Sequence, residues 1–242
     1  MNQRIALVTG ATQGIGFEFC RALGEKGWTV VMTGRDQRAG EEASRQLAGL
    51  GYSVIFQQLA VQDEDQVRGA REAVAARFNH LDLLINNAGV NPAHKDFTFE
   101  ANADLDKIDQ DQLLEMVRIN AVGSLLMIKH FRKLLTASSD PRILNVSSWM
   151  GSIGNRKKGG NYSYCVSKAA LNMISKLAGF DLREDKIICL AVNPGSVRTR
   201  MGGDKGQFSP QESVSRMLGI LQRSTIEDSG KFFNYDGEVH EW

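Results

Sequence analysis

Short apolar, β-branched runs alternate with longer amphipathic stretches along the chain. The runs Ile5–Val8, Thr29–Thr33, Ser53–Gln57, Leu81–Asn86, Arg142–Val146, Ile187–Val192 and Lys231–Asn234 predict strands. Between them, Gly16–Lys26, Ala39–Leu50, Asp65–Phe78, Asp111–Thr136, Tyr164–Leu182 and Gln211–Gln222 carry helical periodicity. Alternation of this kind implies right-handed crossovers and a parallel sheet. The strands read as near-continuous apolar runs, as burial on both faces requires. The expected fold is therefore α/β, a doubly wound parallel sheet of about seven strands with helices on both faces. No linker, repeat or low-complexity tract interrupts residues 1–242, which read as one domain. The least regular stretch, Asn91–Ile108, predicts a surface excursion before the long helix. A second, Gly195–Ser209, carries Gly202, Gly203 and Gly206 and has the composition of a mobile loop.

Composition narrows the classes. Of 242 residues, 42% are hydrophobic and 24% charged, the balance of a globular protein. A net charge of +1 and a pI near 7.7 give no reason to expect nucleic acid or a membrane surface as partner. No apolar run approaches the ~18–20 residues of a membrane span. Ile5–Val8 runs straight into a glycine turn without a cleavage site, so no signal peptide is expected. Cys20, Cys165 and Cys189 have no metal-like spacing and read as free thiols, which points to the cytoplasm. His80, His94, His130 and His240 lack metal spacing as well, and no metal is expected.

Thr9-Gly10-Ala11-Thr12-Gln13-Gly14-Ile15-Gly16 follows the first strand and opens the first helix. Glycines there let the backbone approach a pyrophosphate, while the helix N-terminus offers unpaired N–H groups and a positive dipole end. The spacing is G-x-x-x-G-x-G, not the common G-x-G-x-x-G. The second strand ends Thr33-Gly34-Arg35-Asp36, where an acid would bind a ribose 2′-hydroxyl. An arginine fork at Arg35 suits a 2′-phosphate. NADPH is thus favoured, with Asp36 keeping NADH open.

Tyr164 and Lys168 stand four residues apart, on one face of a helix. At ~4–5 Å and an effective dielectric of ~20, the ammonium would favour the phenolate by roughly 3–4 kcal/mol. That corresponds to about 2–3 pKa units off the usual tyrosine value near 10. Ser148 lies upstream, at the end of Asn145-Val146-Ser147-Ser148.

Taken together, these motifs resemble the short-chain dehydrogenase/reductase family over nearly the whole chain. The resemblance rests on the turn Thr9–Gly16, on Asn86-Asn87-Ala88-Gly89, on Asn120, and on Ser148 with Gly151 as S-x-x-G. It continues through Tyr164-Cys165-Val166-Ser167-Lys168 and Pro194-Gly195-Ser196-Val197-Arg198-Thr199. Within the family, the ending Gly230–Gly237 and Trp242 look like the carbonyl-reductase-like branch of the sniffer and C-factor type.

The resemblance implies a Rossmann-type sheet and a catalytic set of Asn120, Ser148, Tyr164 and Lys168. Tyr164 would be the general acid and Ser148 would hold the substrate oxygen. Lys168 would bind the nicotinamide ribose and lower the tyrosine pKa, and Asn120 would hold a relay water. The cofactor would lie on Gly10, Thr12, Gln13, Gly14, Ile15, Gly16, Arg35 and Val61. It would continue over Asn87, Ala88 and Gly89, then Pro194, Gly195, Val197 and Thr199, with Tyr164 and Lys168 at the nicotinamide. Family members often pair through the helices here read as Asp111–Thr136 and Tyr164–Leu182, so a homodimer or homotetramer is expected.

Two departures stand out. Ala60 occupies the place of an aspartate that usually binds the adenine amino group, and Gln13 replaces a basic residue that some NADP-dependent members carry. The short segment after Thr199 suggests an open substrate cleft. Trp149, Met150 and Ile153 read either as an apolar substrate wall or as packing beneath the loop. The expected activity is NADPH-dependent reduction of a small-molecule ketone or aldehyde. Alternatives are an NAD-dependent alcohol dehydrogenase and a catalytically weak NAD(P)-binding sensor or scaffold. Enoyl reduction is disfavoured, because members that perform it space the tyrosine and lysine seven apart.

Overall fold

A computed structural model describes residues 3–92 and 104–242. Most of the excursion expected at Asn91–Ile108, including His94, lies outside the described residues. The strands β1 (Ile5–Val8), β2 (Thr29–Gly34), β3 (Val54–Gln58), β4 (Leu83–Asn86), β5 (Arg142–Val146), β6 (Ile188–Val192) and β7 (Phe232–Phe233) fall within two residues of the predicted bounds. They form one sheet in the order β3-β2-β1-β4-β5-β6-β7, and every pairing is parallel.

Helices cover both faces. Odd positions of β1, Ile5 and Leu7, join a core with α3 (Glu64–Ala75), α4 (Gln110–Val117), α5 (Gly123–Thr136) and α6 (Tyr162–Asp181). The even positions, Ala6 and Val8, join a second core with α1 (Gly14–Glu25), α2 (Gln37–Gly49) and α7 (Pro210–Arg223). Both cores are tightly shut: Phe19 and Phe131, one in each, have no exposed surface. Each fully buried side chain of that size contributes ~1.5–3 kcal/mol relative to exposure.

Local sequence explains the helix starts. Asp36, Asp63 and Asp109 each accept a hydrogen bond from a backbone N–H in the first turn of α2, α3 and α4. Ser209, Pro210 and Glu212 form a capping box for α7. Helix α1 differs, since Gln13 stands at its N-cap without a side-chain cap.

One element departs from expectation. The run predicted as a continuous helix over Asp111–Thr136 is interrupted by a π-helical turn, Arg118–Val122, centred on Asn120. Apolar periodicity continues on both sides of it, so a single inserted residue leaves little mark on the pattern.

The strand order reverses between β1 and β4. A crevice therefore opens at their C-terminal ends, where ligands bind in sheets of this kind.

Candidate active site

The crevice is built by the close approach of two backbones. After β1, Gly10 (φ +62°) turns with so little clearance that a Cβ would stand 2.8 Å from the Ala88 Cα. A Cβ at Gly16 would collide with the Gly10 carbonyl and with Asn87 Nδ2. Asn87 Nδ2 donates to the carbonyls of Thr9 and Gly10 at 2.9 and 3.0 Å. The Thr9 hydroxyl accepts from the backbone N–H of both Asn87 and Ala88, each at 2.9 Å. These bonds lock the loop after β4 onto the glycine turn and leave the α1 N-terminus facing open space.

That space is a cleft of about 440 Å³. Gly10, Thr12, Gln13, Gly14, Ile15 and Gly16 form its floor, with Gly34, Arg35 and Val61 at one end and Tyr164 and Lys168 at the other. Asn87, Ala88, Gly89, Pro194 and Thr199 line it between. Gly195 and Val197 do not line it. Val197 is buried against Phe208, and Gly195 turns at φ +77° with its open side against the Phe208 and Tyr235 rings. Sequence reasoning left out Gln62, Arg198 and Arg200, which do line the cleft. Arg198 stands inside the Pro194–Thr199 motif without having been singled out, and Arg200 is the residue that follows it.

At the end that holds Tyr164 and Lys168, the loop after β5 lies on α6. A Cβ at Gly151 would stand 2.7 Å from the Lys168 carbonyl carbon, so only glycine lets Ser148 come this close to the helix. Ser147 and Ser148 diverge, as alternation on a strand requires. Ser147 donates to Asn172 Oδ1 at 2.5 Å, whereas the Ser148 hydroxyl accepts from Met150 N–H at 3.2 Å and stands close enough to the Tyr164 phenol to favour its ionised form. Tyr162 begins α6. Trp149 and Ile153 are 48% and 76% exposed, so they do not pack beneath the loop, and neither lines the cleft.

One electrostatic expectation is corrected. Lys168 does not pair with the phenol. Its Nζ donates to the Val146 carbonyl at 2.9 Å and lies 5.8 Å from the centre of the Tyr164 ring. Burial, partly opposed by the nearby Ser148 hydroxyl, pushes the phenol up to about 12. Burial likewise brings Lys168 down to about 8. Desolvation outweighs the attraction that spacing alone suggested, because each group disfavours its own charge in this dry corner.

Asn120 closes the other side of this corner. It is fully buried and spends both amide protons, on the Val90 carbonyl at 2.8 Å and the Ser167 hydroxyl at 2.9 Å. Its Oδ1 accepts from Val90 N–H at 2.7 Å. The side chain thus splices the β4 loop to α6, with no proton left to give a water. Gly89 fits between the two groups: a Cβ there would lie 3.2 Å from Asn120 Oδ1 and 3.7 Å from Lys168 Nζ.

The loop after β6 is braced, contrary to its glycine-rich appearance. Arg198 donates to the carbonyls of Gly206 and Gln207, and Thr199 bridges to Gly203. Asn91 Nδ2 donates to the Met201 carbonyl at 3.2 Å, tying this loop to the loop after β4. Among the described residues there is no cluster that could hold a metal, and no helix is long and apolar enough to cross a membrane.

With this geometry in view, the chain belongs to the short-chain dehydrogenase family, whose model matches residues 4–209. It falls in the carbonyl-reductase-like branch. The NADPH-bound carbonyl reductase from chicken fatty liver superposes with a TM-score of 0.88 at 34% identity, each chain covered fully. Carbonyl reductase Sniffer of D. melanogaster gives 0.90 at 25% identity, also over both chains in full. Among curated relatives, (+)-neomenthol dehydrogenase of Arabidopsis thaliana is 32% identical, over 96% of each chain.

The buried lysine makes a stability prediction. Below pH 8 both folded and unfolded chains carry its proton, and the folded state bears the whole cost of the buried charge. Between about 8 and 10.5 the unfolded chain holds more protons, so stability rises with pH. Lys168→Met should therefore stabilise the nucleotide-free protein at pH 7 by on the order of 1–3 kcal/mol, raising Tm by several degrees. It should also erase the rise with pH. Thermal unfolding followed from about pH 7 to 10 checks both; an unaltered Tm at pH 7 would mean that the ammonium carries no burial penalty.

Proposed function

We propose that this chain is an NADPH-dependent carbonyl reductase that reduces a small ketone or aldehyde, with Tyr164 as general acid. The observation that carries the reading is one continuous cleft. It runs from Gly34 and Arg35 to a corner where Tyr164, with Ser148 close by, stands beside a buried lysine.

The residues fit the dinucleotide. Gly10 and Gly16 let the loop after β4 close against the glycine turn, and the uncapped α1 N-terminus that lines the cleft suits a pyrophosphate. Arg35 would take the 2′-phosphate, its carbonyl held by Gln58 Nε2 at 3.0 Å. The Asp36 carboxylate is occupied with the Ala39 N–H, which supports Arg35 over Asp36 as the reader of that position. Lys168 would hold the nicotinamide ribose. Bound NADPH supplies the hydride.

The protein's own work is to hold an oxygen and deliver a proton. Ser148, fixed by Gly151 against α6, donates to the substrate oxygen and sets it beside the phenol. An acid that must donate has to be protonated first, and the raised pKa keeps Tyr164 so throughout neutral pH. An alkoxide forming on the substrate is a stronger base than a phenolate, so the transfer runs downhill. In the reverse direction the phenolate is required, and the same burial hinders it. Lys168, still charged below pH 8, would resupply the proton and recover its own from solvent. The exposed Met201 offers the substrate an apolar side chain at the cleft.

The protein would act as a homodimer or larger homo-oligomer in the cytoplasm. Leu114, Leu125, Val166, Met173, Leu177 and Phe180 on α4, α5 and α6 are 44–62% exposed, an apolar face of the kind that self-association covers. Light scattering of Phe180→Glu with Leu177→Glu should show a smaller species than the parent chain; equal masses would remove this face from consideration.

Tyr164→Phe should lower kcat for NADPH-dependent carbonyl reduction by at least ~100-fold while changing the Kd for NADPH less than ~3-fold. Stopped-flow reduction with fluorescence titration separates the two, and full activity in the variant would sink the acid assignment. Arg35→Ala should weaken NADPH by ~10-fold or more, because a charge-assisted pair is lost, and leave NADH nearly unaffected. Equal losses for both nucleotides, measured by titration, would show that Arg35 does not read the phosphate.

A further inference from the structure

Among the described residues, four buried side-chain polar atoms lack a hydrogen-bond partner, and Oε1 of Gln62 is the one whose residue lines the cleft. Gln62 follows Val61 in the turn between β3 and α3. The turn has already spent its other polar groups. Leu59 N–H donates to the Gly34 carbonyl at 2.9 Å, and Ala60 N–H donates to Gln66 Oε1 at 3.0 Å. Asp63 caps α3 and takes the Gln66 amide at 2.8 Å. Nothing in the turn is left to satisfy Gln62, and a buried unpaired carbonyl costs stability. Such an atom persists when a ligand completes it.

Its surroundings indicate which ligand. Leu59 and Val61 line the same end of the cleft and are almost wholly buried, offering an apolar bed for a flat ring. Val61 is held from behind by Gly123, where a Cβ would stand 2.6 Å from its Cγ2. Arg35 and Gly34 flank this end, far along the cleft from Tyr164. Ala60 brings no polar side-chain atom and does not line the cleft.

We propose that Gln62 reads the adenine of the dinucleotide, its Oε1 accepting a hydrogen bond from the exocyclic amino group. The proposal rests on the placement of the adenosine half beside Arg35. The residue holds an acceptor ready in the nucleotide-free protein, at a cost in stability, and recovers that cost on binding.

The test is calorimetric titration of the nucleotide-free protein with adenosine 2′,5′-bisphosphate and with its purine analogue, which lacks the amino group. The parent chain should bind the purine analogue about 3–10-fold more weakly. Gln62→Met should lose a similar factor for the adenosine ligand and no longer distinguish the two, while reduced nicotinamide mononucleotide binds as before. Thermal unfolding of the nucleotide-free variant should show a Tm equal to or above that of the parent, because the unpaired group is gone. A parent chain that does not discriminate overturns the proposal, whether or not the variant folds. So does a variant that loses several degrees of Tm with its affinity, which would mark a structural role. Arg35→Ala in the same titration separates the levels. If it weakens the adenosine ligand and Gln62→Met does not, only the role of Gln62 fails; if neither has an effect, the placement of the adenosine half fails with it.

Discussion

At the switch point of the sheet, two backbones meet with no room for a side chain between them, and the site is organised around that approach. Gly10 against Ala88 and Gly16 against the Gly10 carbonyl bring the ends of β1 and β4 together. Thr9 and Asn87 then convert proximity into a fixed joint, through four hydrogen bonds of 2.9–3.0 Å. A larger residue at either glycine would push the loops apart, and the floor of the cleft with them. The joint also determines where Gly89 lies, and hence the spacing between Asn120 and Lys168. The glycine turn and the corner that holds Tyr164 and Lys168 are therefore one mechanical unit.

A second constraint follows from dryness. The corner that holds Lys168 and Tyr164 disfavours charge on both, lowering the one and raising the other. The protein tolerates the cation because the Val146 carbonyl, at a strand end, accepts from it at 2.9 Å. This arrangement suits a reductase, because a protonated phenol and a nearby ammonium are the starting state for donating a proton to a reduced carbonyl.

How much of this was legible depends on what kind of signal each feature leaves. The sheet was readable because two-sided burial forces apolar runs such as Ile5–Val8, and one strand end after another carries a recognisable turn. The glycines at 10, 14 and 16 were readable because close approach excludes every other residue. The spacing of Tyr164 and Lys168 placed them on one face correctly, but it carries no information on solvation, and desolvation reversed the expected shift. Asn120 was found, but a sequence cannot show that a π turn aims its amide at Val90 and Ser167. Gln62 went unnoticed for a related reason: an orphaned acceptor is defined by what fails to surround it.

The remaining polar burial has a common location. Asn86 donates to Asn145, Asn145 to Ser175, and Asn193 to Asn234, each at 2.7–2.9 Å, along the C-terminal ends of β4, β5, β6 and β7. Asparagine at a strand end serves there because its amide can bridge to the next strand where the ladder stops. The interior pays little for these groups, since most are satisfied. The effect is a rigid polar shelf beneath the cleft, continuous with the Thr9–Asn87 joint. Asn86 Oδ1 on that shelf stays unpaired, but the more informative penalties lie along the cleft. Lys168 and Gln62 sit at opposite ends of one cleft, and each is held in a state that the empty protein disfavours. A fold of this size can carry both penalties because the cores on the two faces of the sheet are apolar and closed. Stability is thus concentrated in the layers, and the strain of preorganisation is confined to the rim where a dinucleotide would relieve it.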